Sequence, residues 1–238
     1  MRGVVLAGGT GSRLLPLTKT TNKHLLPVGA KPMIYYPIER LTGAKIRDIL
    51  IVTGVEHMGE VVNQLGSGKD FGCRFTYKVQ DEPGGIAQAL SLAEEFSAGE
   101  RIAVLLGDNI FGDALTPHVE TYLSSGKGAM VLLKEVPDPE RFGVPQIEGK
   151  KIVRIVEKPK TPPSRYAVTG LYFYDARVFE IIRTLKPSAR GELEITDVNN
   201  RYLEIGELAH GFLESYWTDA GTHESLARAT RFVLGEGK

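Results

Sequence analysis

Apolar positions along this chain follow two rhythms. Short strand-like runs, most of them unbroken Val, Ile and Leu, occupy 3–7, 48–53, 74–79, 102–106 and 129–136. Between them lie longer amphipathic stretches at 32–43, 57–65, 85–96 and 115–124, which read as helices. Pro32 suits a first helical turn, and Gly43 stands where a helix would stop. Fully apolar strands separated by helices predict a parallel sheet covered on both faces, a doubly wound α/β fold. After Pro137 the rhythm changes. Residues 144–147 and 151–157 read as a hairpin closed by Glu148-Gly149-Lys150, followed by a proline-rich connection at 159–164. A strand at 166–174, helices at 176–185 and 195–205, a strand at 207–214 and a helix at 223–234 complete the pattern. No linker is long enough to separate independent domains, so 1–238 is expected to be one domain, its second half an antiparallel extension of the sheet.

Composition narrows the partners. Lys and Arg number 29 and so do Asp and Glu, giving a formal net charge of zero. A neutral balance offers no electrostatic case for nucleic acid or an anionic membrane, so basic residues must act locally. The single cysteine, Cys73, lies in a strand-like run and reads as a packed core thiol. The apolar run after Met1 is too short for a signal peptide or a membrane span, and a cytoplasmic protein is expected. Its five histidines are dispersed without a zinc spacing, and no nucleophile elbow is present.

Candidate chemistry concentrates where the first strand ends. Leu6-Ala7-Gly8-Gly9-Thr10-Gly11-Ser12-Arg13 places three glycines and an arginine at the carboxyl end of a strand, the edge at which open α/β sheets bind ligands. Glycines let backbone amides turn inward around an anion, so a phosphate loop is favoured over a plain turn. The dinucleotide fingerprint fails because its third glycine is replaced by Leu14 and Pro16 interrupts the helix. The P-loop fails for want of Gly-Lys-Ser/Thr. Arg13 and Lys23 flank the loop, and a guanidinium with an ammonium suits a triphosphate. Asp108 follows the 102–106 strand across one glycine and would point into the same edge. Asp219 is either a second metal-binding carboxylate or the cap of a helix beginning near His223.

Several segments carry a resemblance. They are Gly8-Gly9-x-Gly11-x-Arg13-Leu14-x-Pro16-x-Thr18, Lys23-x-Leu25-Leu26-Pro27-Val28, Lys31-Pro32-Met33-Ile34-Tyr35-Tyr36-Pro37, Leu105-Leu106-Gly107-Asp108-Asn109 and Glu157-Lys158-Pro159. Val168-Thr169-Gly170-Leu171-Tyr172, Gly191-Glu192-Leu193-Glu194-Ile195-Thr196-Asp197 and Trp217-Thr218-Asp219-Ala220-Gly221 continue it across nearly the whole chain. In this order they resemble the sugar-phosphate nucleotidylyltransferases, and most of all the short form of the members that transfer a thymidylyl group to glucose-1-phosphate.

That resemblance implies a Rossmann-like nucleotide-binding core at 1–136 and a sugar-phosphate-binding part at 137–238 that is not independent. It implies dTTP and glucose-1-phosphate as substrates, joined by direct in-line attack with loss of pyrophosphate, and Mg²⁺ held by Asp108 and Asp219. Arg13, Lys23 and Lys158 become the catalytic cations. Leu6, Gly8, Gly9, Thr10, Gly11, Ser12, Gln80, Gly85 and Asp108 become nucleotide contacts, with Gln80 reading the base. Gly143, Glu157, Lys158 and Val168 become sugar-phosphate contacts, although each of Gly143, Glu157 and Val168 also has a plain structural reading as turn, strand charge and core. His24 departs from the family pattern, which often has a glutamine there, and Asp81-Glu82-Pro83-Gly84 is more acidic than usual. The chain ends at Lys238, before the C-terminal helices of longer relatives, so an allosteric product site is expected to be incomplete or absent. A homo-oligomer is compatible with the sequence, which does not set the oligomeric state. A UTP-using or dual-specificity enzyme is the alternative within the class. A non-catalytic sugar-nucleotide-binding regulatory protein would have been expected to lose Arg13, Lys23, Asp108 or Asp219, and all four are present.

Overall fold

The apolar runs become strands in the computed structural model of the protein, which describes residues 1–236. Along the chain the strands are β1 (Arg2–Ala7), β2 (Pro27–Val28), β3 (Lys31–Pro32), β4 (Asp48–Gly54), β5 (Arg74–Gln80), β6 (Ile102–Leu106) and β7 (Asn109–Phe111). They continue as β8 (Ala129–Glu135), β9 (Gly143–Glu148), β10 (Lys151–Glu157), β11 (Tyr166–Tyr174), β12 (Leu208–Phe212) and β13 (Trp217–Asp219). The helices are α1 (Tyr35–Gly43), α2 (Met58–Leu65), α3 (Ile86–Ser91), α4 (Glu94–Ser97), α5 (Thr116–Ser125), α6 (Arg177–Thr184), α7 (Ile195–Glu204) and α8 (His223–Val233). Among the described residues no helix is long and apolar enough to cross a membrane.

Two compact units emerge. The first comprises Met1–Pro83, Ala103–Thr116 and the chain from Ser215 onward. Its strands run in the order β6, β1, β4, β5, and β1, β4 and β5 are parallel neighbours. Val4, Val5, Ile49, Leu50, Ile51, Val52, Val104 and Leu105 have no exposed surface, which is why the centres of β1, β4 and β6 are apolar at successive positions, whereas β5, at the end of the strand order, alternates polar and apolar residues. Chain order reverses beside β1, with β4 and β5 on one side and β6 on the other. At such a reversal the connections leave β1 and β6 in opposite directions and open a crevice at their carboxyl ends. Those ends adjoin, for Gly107 donates its N–H to the Leu6 carbonyl at 2.8 Å. A separate antiparallel ribbon, β7 with β13, sets Asp219 opposite Asn109.

The second unit comprises Gly84–Ile102 and Pro117–Glu214. Here β8 and β11 are antiparallel, the β9–β10 hairpin meets β11 where Gly143 faces Val168, and β12 runs parallel to β8. Gly149 turns the hairpin at φ 61°, a left-handed conformation that glycine adopts without strain. Tyr122 stacks on Phe173 and Tyr174 on Tyr202, all four fully buried, forming the aromatic centre of this unit.

The predicted elements differ from the structure in three places. The helix predicted from Pro32 begins at Tyr35, and Pro32 lies in β3 opposite Pro27. The amides of Met33 and Ile34 are drawn to the carbonyls of Leu26 and His24, so those residues close a loop instead of opening a helix. The 85–96 helix is broken into α3 and α4, because Leu92 and Ala93 bond to carbonyls three residues back, tightening the turn. Finally, β7 and β13 span three residues each, too few to show any period.

Candidate active site

Immediately after β1 the chain enters the glycine loop. Gly9 and Gly11 have φ of 96° and 63°, which explains glycine at both positions. Thr18 donates its hydroxyl to the Gly11 carbonyl at 2.9 Å, fastening the loop from below. A Cβ on Gly11 would meet Thr18 Cγ2 at 2.8 Å and Lys23 Cβ at 3.2 Å, so the loop lies directly on the segment that carries Lys23. Thr10, Ser12 and Arg13 are exposed beside it. Gln80, at the end of β5, reaches across to Gly8, where an added Cβ would stand 2.5 Å from its amide oxygen.

At the end of β6, Asp108 is 8% exposed and its Oδ2 accepts from Lys23 Nζ at 2.6 Å. Its Oδ1 accepts from Asn109 Nδ2 at 3.0 Å, and Asn109 Oδ1 accepts from Trp217 Nε1 at 2.7 Å. Burial would raise the Asp108 pKa, but the Lys23 charge and the hydrogen bonds from Lys23 and Asn109 outweigh it and hold the carboxyl well below the usual range. Asp219 comes into the same group through the β7–β13 ribbon and the bond from Ala220 N–H to the Asp108 carbonyl at 2.7 Å. Around the point where a Cβ on Gly221 would stand, Arg13 Nη2 lies at 3.2 Å, Asp219 Oδ2 at 3.4 Å and Asp108 Oδ2 at 3.6 Å. The cap of α8 is Thr222, in a reciprocal capping box with Ser225. Asp219 is therefore not the helix cap. Two carboxylates and two cations thus converge at the carboxyl ends of β1 and β6, an arrangement suited to a cation and phosphate oxygens.

A second cluster forms in the other unit. The hairpin register sets Glu157 opposite Gly143, and Gly143 faces Val168 on β11. Glu157 Oε2 accepts the Thr196 hydroxyl at 2.6 Å, while Lys158 Nζ and Arg190 Nη2 stand 3.6 and 3.5 Å from Oε1. Lys158 itself has φ 43°, uncommon for a residue with a Cβ, and its N–H is held by the Phe142 carbonyl at 2.9 Å. A Cβ on Gly143 would lie 3.0 Å from Thr196 Oγ1, so glycine keeps that face open. Gly85 belongs to this unit too. At φ 98° it presses on the Leu193 backbone, where a Cβ would meet the carbonyl oxygen at 2.6 Å.

The sequence marked Leu6, Gly8, Gly9, Gly11, Arg13, Lys23, Gln80, Asp108 and Asp219, and the structure gathers them in the first unit. Gly143, Glu157, Lys158 and Val168 gather in the second. Arg190, Thr196 and Glu194 went unassigned in the sequence reading, though Arg190 binds Glu194 at 2.8 Å and both stand among these residues. Glu194 and Thr196 were marked only as members of the segment at 191–197, and Arg190 stands one residue before it. Asn109 and Trp217, linked to Asp108 by the bonds above, were marked only as members of the segments at 105–109 and 217–221, and Asn22 lay outside every segment that carried the resemblance.

A family model described as nucleotidyl transferase matches residues 2–236. The chain is 49% identical over 240 residues to a glucose-1-phosphate thymidylyltransferase of Neisseria meningitidis serogroup A, covering 98% of this chain and 82% of that protein. A crystal structure from Bacillus anthracis, described as a glucose-1-phosphate thymidylyltransferase in complex with a sucrose, superposes with a TM-score of 0.94 at 59% identity, covering 99% of this chain and 95% of that one. A UDP-glucose pyrophosphorylase complexed with UDP-glucose gives 0.86 at 26% identity, covering 99% and 98%. With a family model spanning nearly every residue and the glycine loop, lysine and paired carboxylates in place, the chain belongs to the nucleotidyl transferase family.

Proposed function

We propose that this protein transfers a thymidylyl group from dTTP to glucose-1-phosphate, forming dTDP-glucose and releasing pyrophosphate. The observation that carries the reading is the meeting of Lys23, Asp108, Asp219 and Arg13 beside the glycine loop. The attacking phosphate oxygen is already anionic at neutral pH, so no general base is needed. What the reaction needs is charge neutralisation and alignment, the usual burden in phosphoryl-transfer chemistry. Thr10, Ser12 and the glycine amides would line the triphosphate. Arg13 would take charge developing on the leaving pyrophosphate, and Lys23 would hold the phosphate under attack. Leu6 and Gly8 would offer main-chain contacts to the base, while the Gln80 amide pairs with its donor and acceptor edge. Gly85 would leave room for the nucleotide. Glu157 and the backbone at Gly143 and Val168 would bind the glucose hydroxyls, with Lys158 on the sugar phosphate.

Asp108 and Asp219 fit a magnesium ion. Their Oδ2 atoms both lie within 3.6 Å of one point, and hard carboxylate oxygens suit a hard cation. Among the described residues no group of three or more His, Cys, Asp and Glu is placed to hold a metal. A two-carboxylate site suits an ion that keeps positions for water and phosphate oxygens. When bound, Mg²⁺ supplies Lewis-acid neutralisation of phosphate charge.

A second reading, UTP as nucleotide donor, is favoured by the likeness to UDP-glucose pyrophosphorylase. Thymine and uracil share a hydrogen-bonding edge, and the extra methyl is worth about 1–3 kcal/mol of discrimination. The test is product analysis with glucose-1-phosphate, Mg²⁺ and each nucleoside triphosphate in turn. dTDP-glucose as the main product is expected. Sole formation of UDP-glucose would replace the donor, and no nucleotide sugar with any donor would remove the reading.

A further inference from the structure

Lys23 is flanked by two buried polar side chains that face inward. Asn22 is 3% exposed and His24 1%. Asn22 caps the short turn Lys23–Leu25, its Oδ1 accepting the His24 N–H at 2.8 Å. The same oxygen lies 2.7 Å from His24 Nδ1. Because that oxygen is fixed as an acceptor by the backbone N–H, Nδ1 must carry the ring proton. Asn22 Nδ2 turns the other way, to the Ala7 carbonyl at the end of β1. The His24 ring lies under Gly107, where an added Cβ would meet Cδ2 at 2.7 Å, and its carbonyl accepts the Ile34 N–H at 2.9 Å. From the outer side, Glu60 on α2 accepts the Thr21 hydroxyl at 3.0 Å and the Asn22 N–H at 3.4 Å. Residues 21–24 are thereby tied to β1, to the turn after β6 and to α2, with the Lys23 side chain as the one member of the run that reaches Asp108.

We propose that Asn22 and His24 are positioning residues that clamp the backbone on both sides of Lys23 and so hold its ammonium on Asp108. This rests on the proposed reaction, through the role given to Lys23. A lysine side chain has four rotatable bonds and loses substantial entropy when ordered, so a fixed backbone at its root decides whether the ammonium waits in place. The side-chain oxygen of Asn22 does the fixing, since it alone accepts from both the backbone and the ring of His24.

The experiment compares Asn22→Leu, Asn22→Asp, Glu60→Ala and Lys23→Met in full-length protein. It follows kcat, KM for glucose-1-phosphate, the calorimetric Kd for dTTP without turnover, and Tm. Asn22→Leu removes the acceptor and should lower kcat about 10- to 100-fold, the range expected when a charged group is misplaced by an ångström. KM for glucose-1-phosphate should stay within about twofold while dTTP binds about tenfold more weakly, as loss of one charged phosphate contact predicts. Asn22→Asp keeps the acceptor and should keep kcat within about threefold of the parent. A folded Asn22→Leu with parental kcat and dTTP affinity overturns the inference, and so does an Asn22→Asp as impaired as Asn22→Leu. Should Asn22→Leu fail to fold, Glu60→Ala decides. It loosens the loop from the surface and is expected to lower kcat about threefold at unchanged Tm, and a parental kcat there overturns the clamp. Lys23→Met separates the two levels. If it turns over normally, the functional reading of Lys23 fails. If it is inactive while Asn22→Leu is normal, only the clamp fails.

Discussion

Two glycines at the site differ in what surrounds them, and the difference predicts opposite phenotypes. A Cβ on Gly8 would meet only the far end of the Gln80 side chain, with no backbone atom within 4 Å. Gly8→Ala should therefore leave stability within about 0.5 kcal/mol in urea unfolding, while raising KM for dTTP because Gln80 is displaced. At Gly107 the Cβ would meet the buried His24 ring and stand 3.2 Å from the Leu6 carbonyl, neither of which can give way. Gly107→Ala should cost about 1–3 kcal/mol in the same measurement, and equal stability of the two variants would contradict this packing. His24 carries a further consequence. Burial, then the Lys23 charge, lowers its pKa from 6.5 to about 3 against weaker pulls from Asp108 and the Ala7 carbonyl. As pH falls below 6.5 the unfolded chain therefore gains a proton that the folded chain refuses until about pH 3. Stability should decline across that window by up to about 1.4 kcal/mol per pH unit, and His24→Gln should flatten the decline in denaturation curves at pH 4–6.

Among the elements, the β7–β13 ribbon deserves the credit for assembling the carboxylates. Its six residues place Asp219 beside Asn109 and tie Asn109 to Trp217. Trp217→Phe keeps most of the buried ring and removes one donor to a buried amide oxygen. It should cost about 1–3 kcal/mol and lower kcat, because Asn109 then steadies Asp108 less well. Unchanged kcat and Tm would deny the ribbon its organising role. This ribbon was invisible in the sequence for a plain reason. Three-residue strands have no period, and their pairing joins positions 109–111 to 217–219 across more than a hundred residues. The runs in β1, β4, β6 and β8 were legible because residues buried on both faces must be apolar at successive positions. The hairpin at Glu148-Gly149-Lys150 was legible because its turn needs a left-handed glycine.

For the whole molecule, the neutral charge balance means that the site, not the surface, must attract the anionic substrates. Replacing both carboxylates, as Asp108→Asn with Asp219→Asn, should lower kcat by about 10³-fold or more at saturating Mg²⁺, by analogy with losses of a few kcal/mol for each electrostatic group in a water-excluded site. Turnover that survives this double substitution with the metal chelated would mean that the carboxylates do not hold the ion. The kinds of chemistry at each position, a glycine loop with Arg13, a lysine at 23, acids at 108 and 219, were already determined by the sequence, as were the fold class and most element boundaries. Tertiary structure alone decided which of these groups meet. It set Lys23 on Asp108, ruled Asp219 out as a helix cap, and brought Thr196 and Arg190 to Glu157. The physical reason is that periodicity and turn chemistry are local, whereas a site is made by hydrogen bonds and ion pairs between residues far apart in the chain.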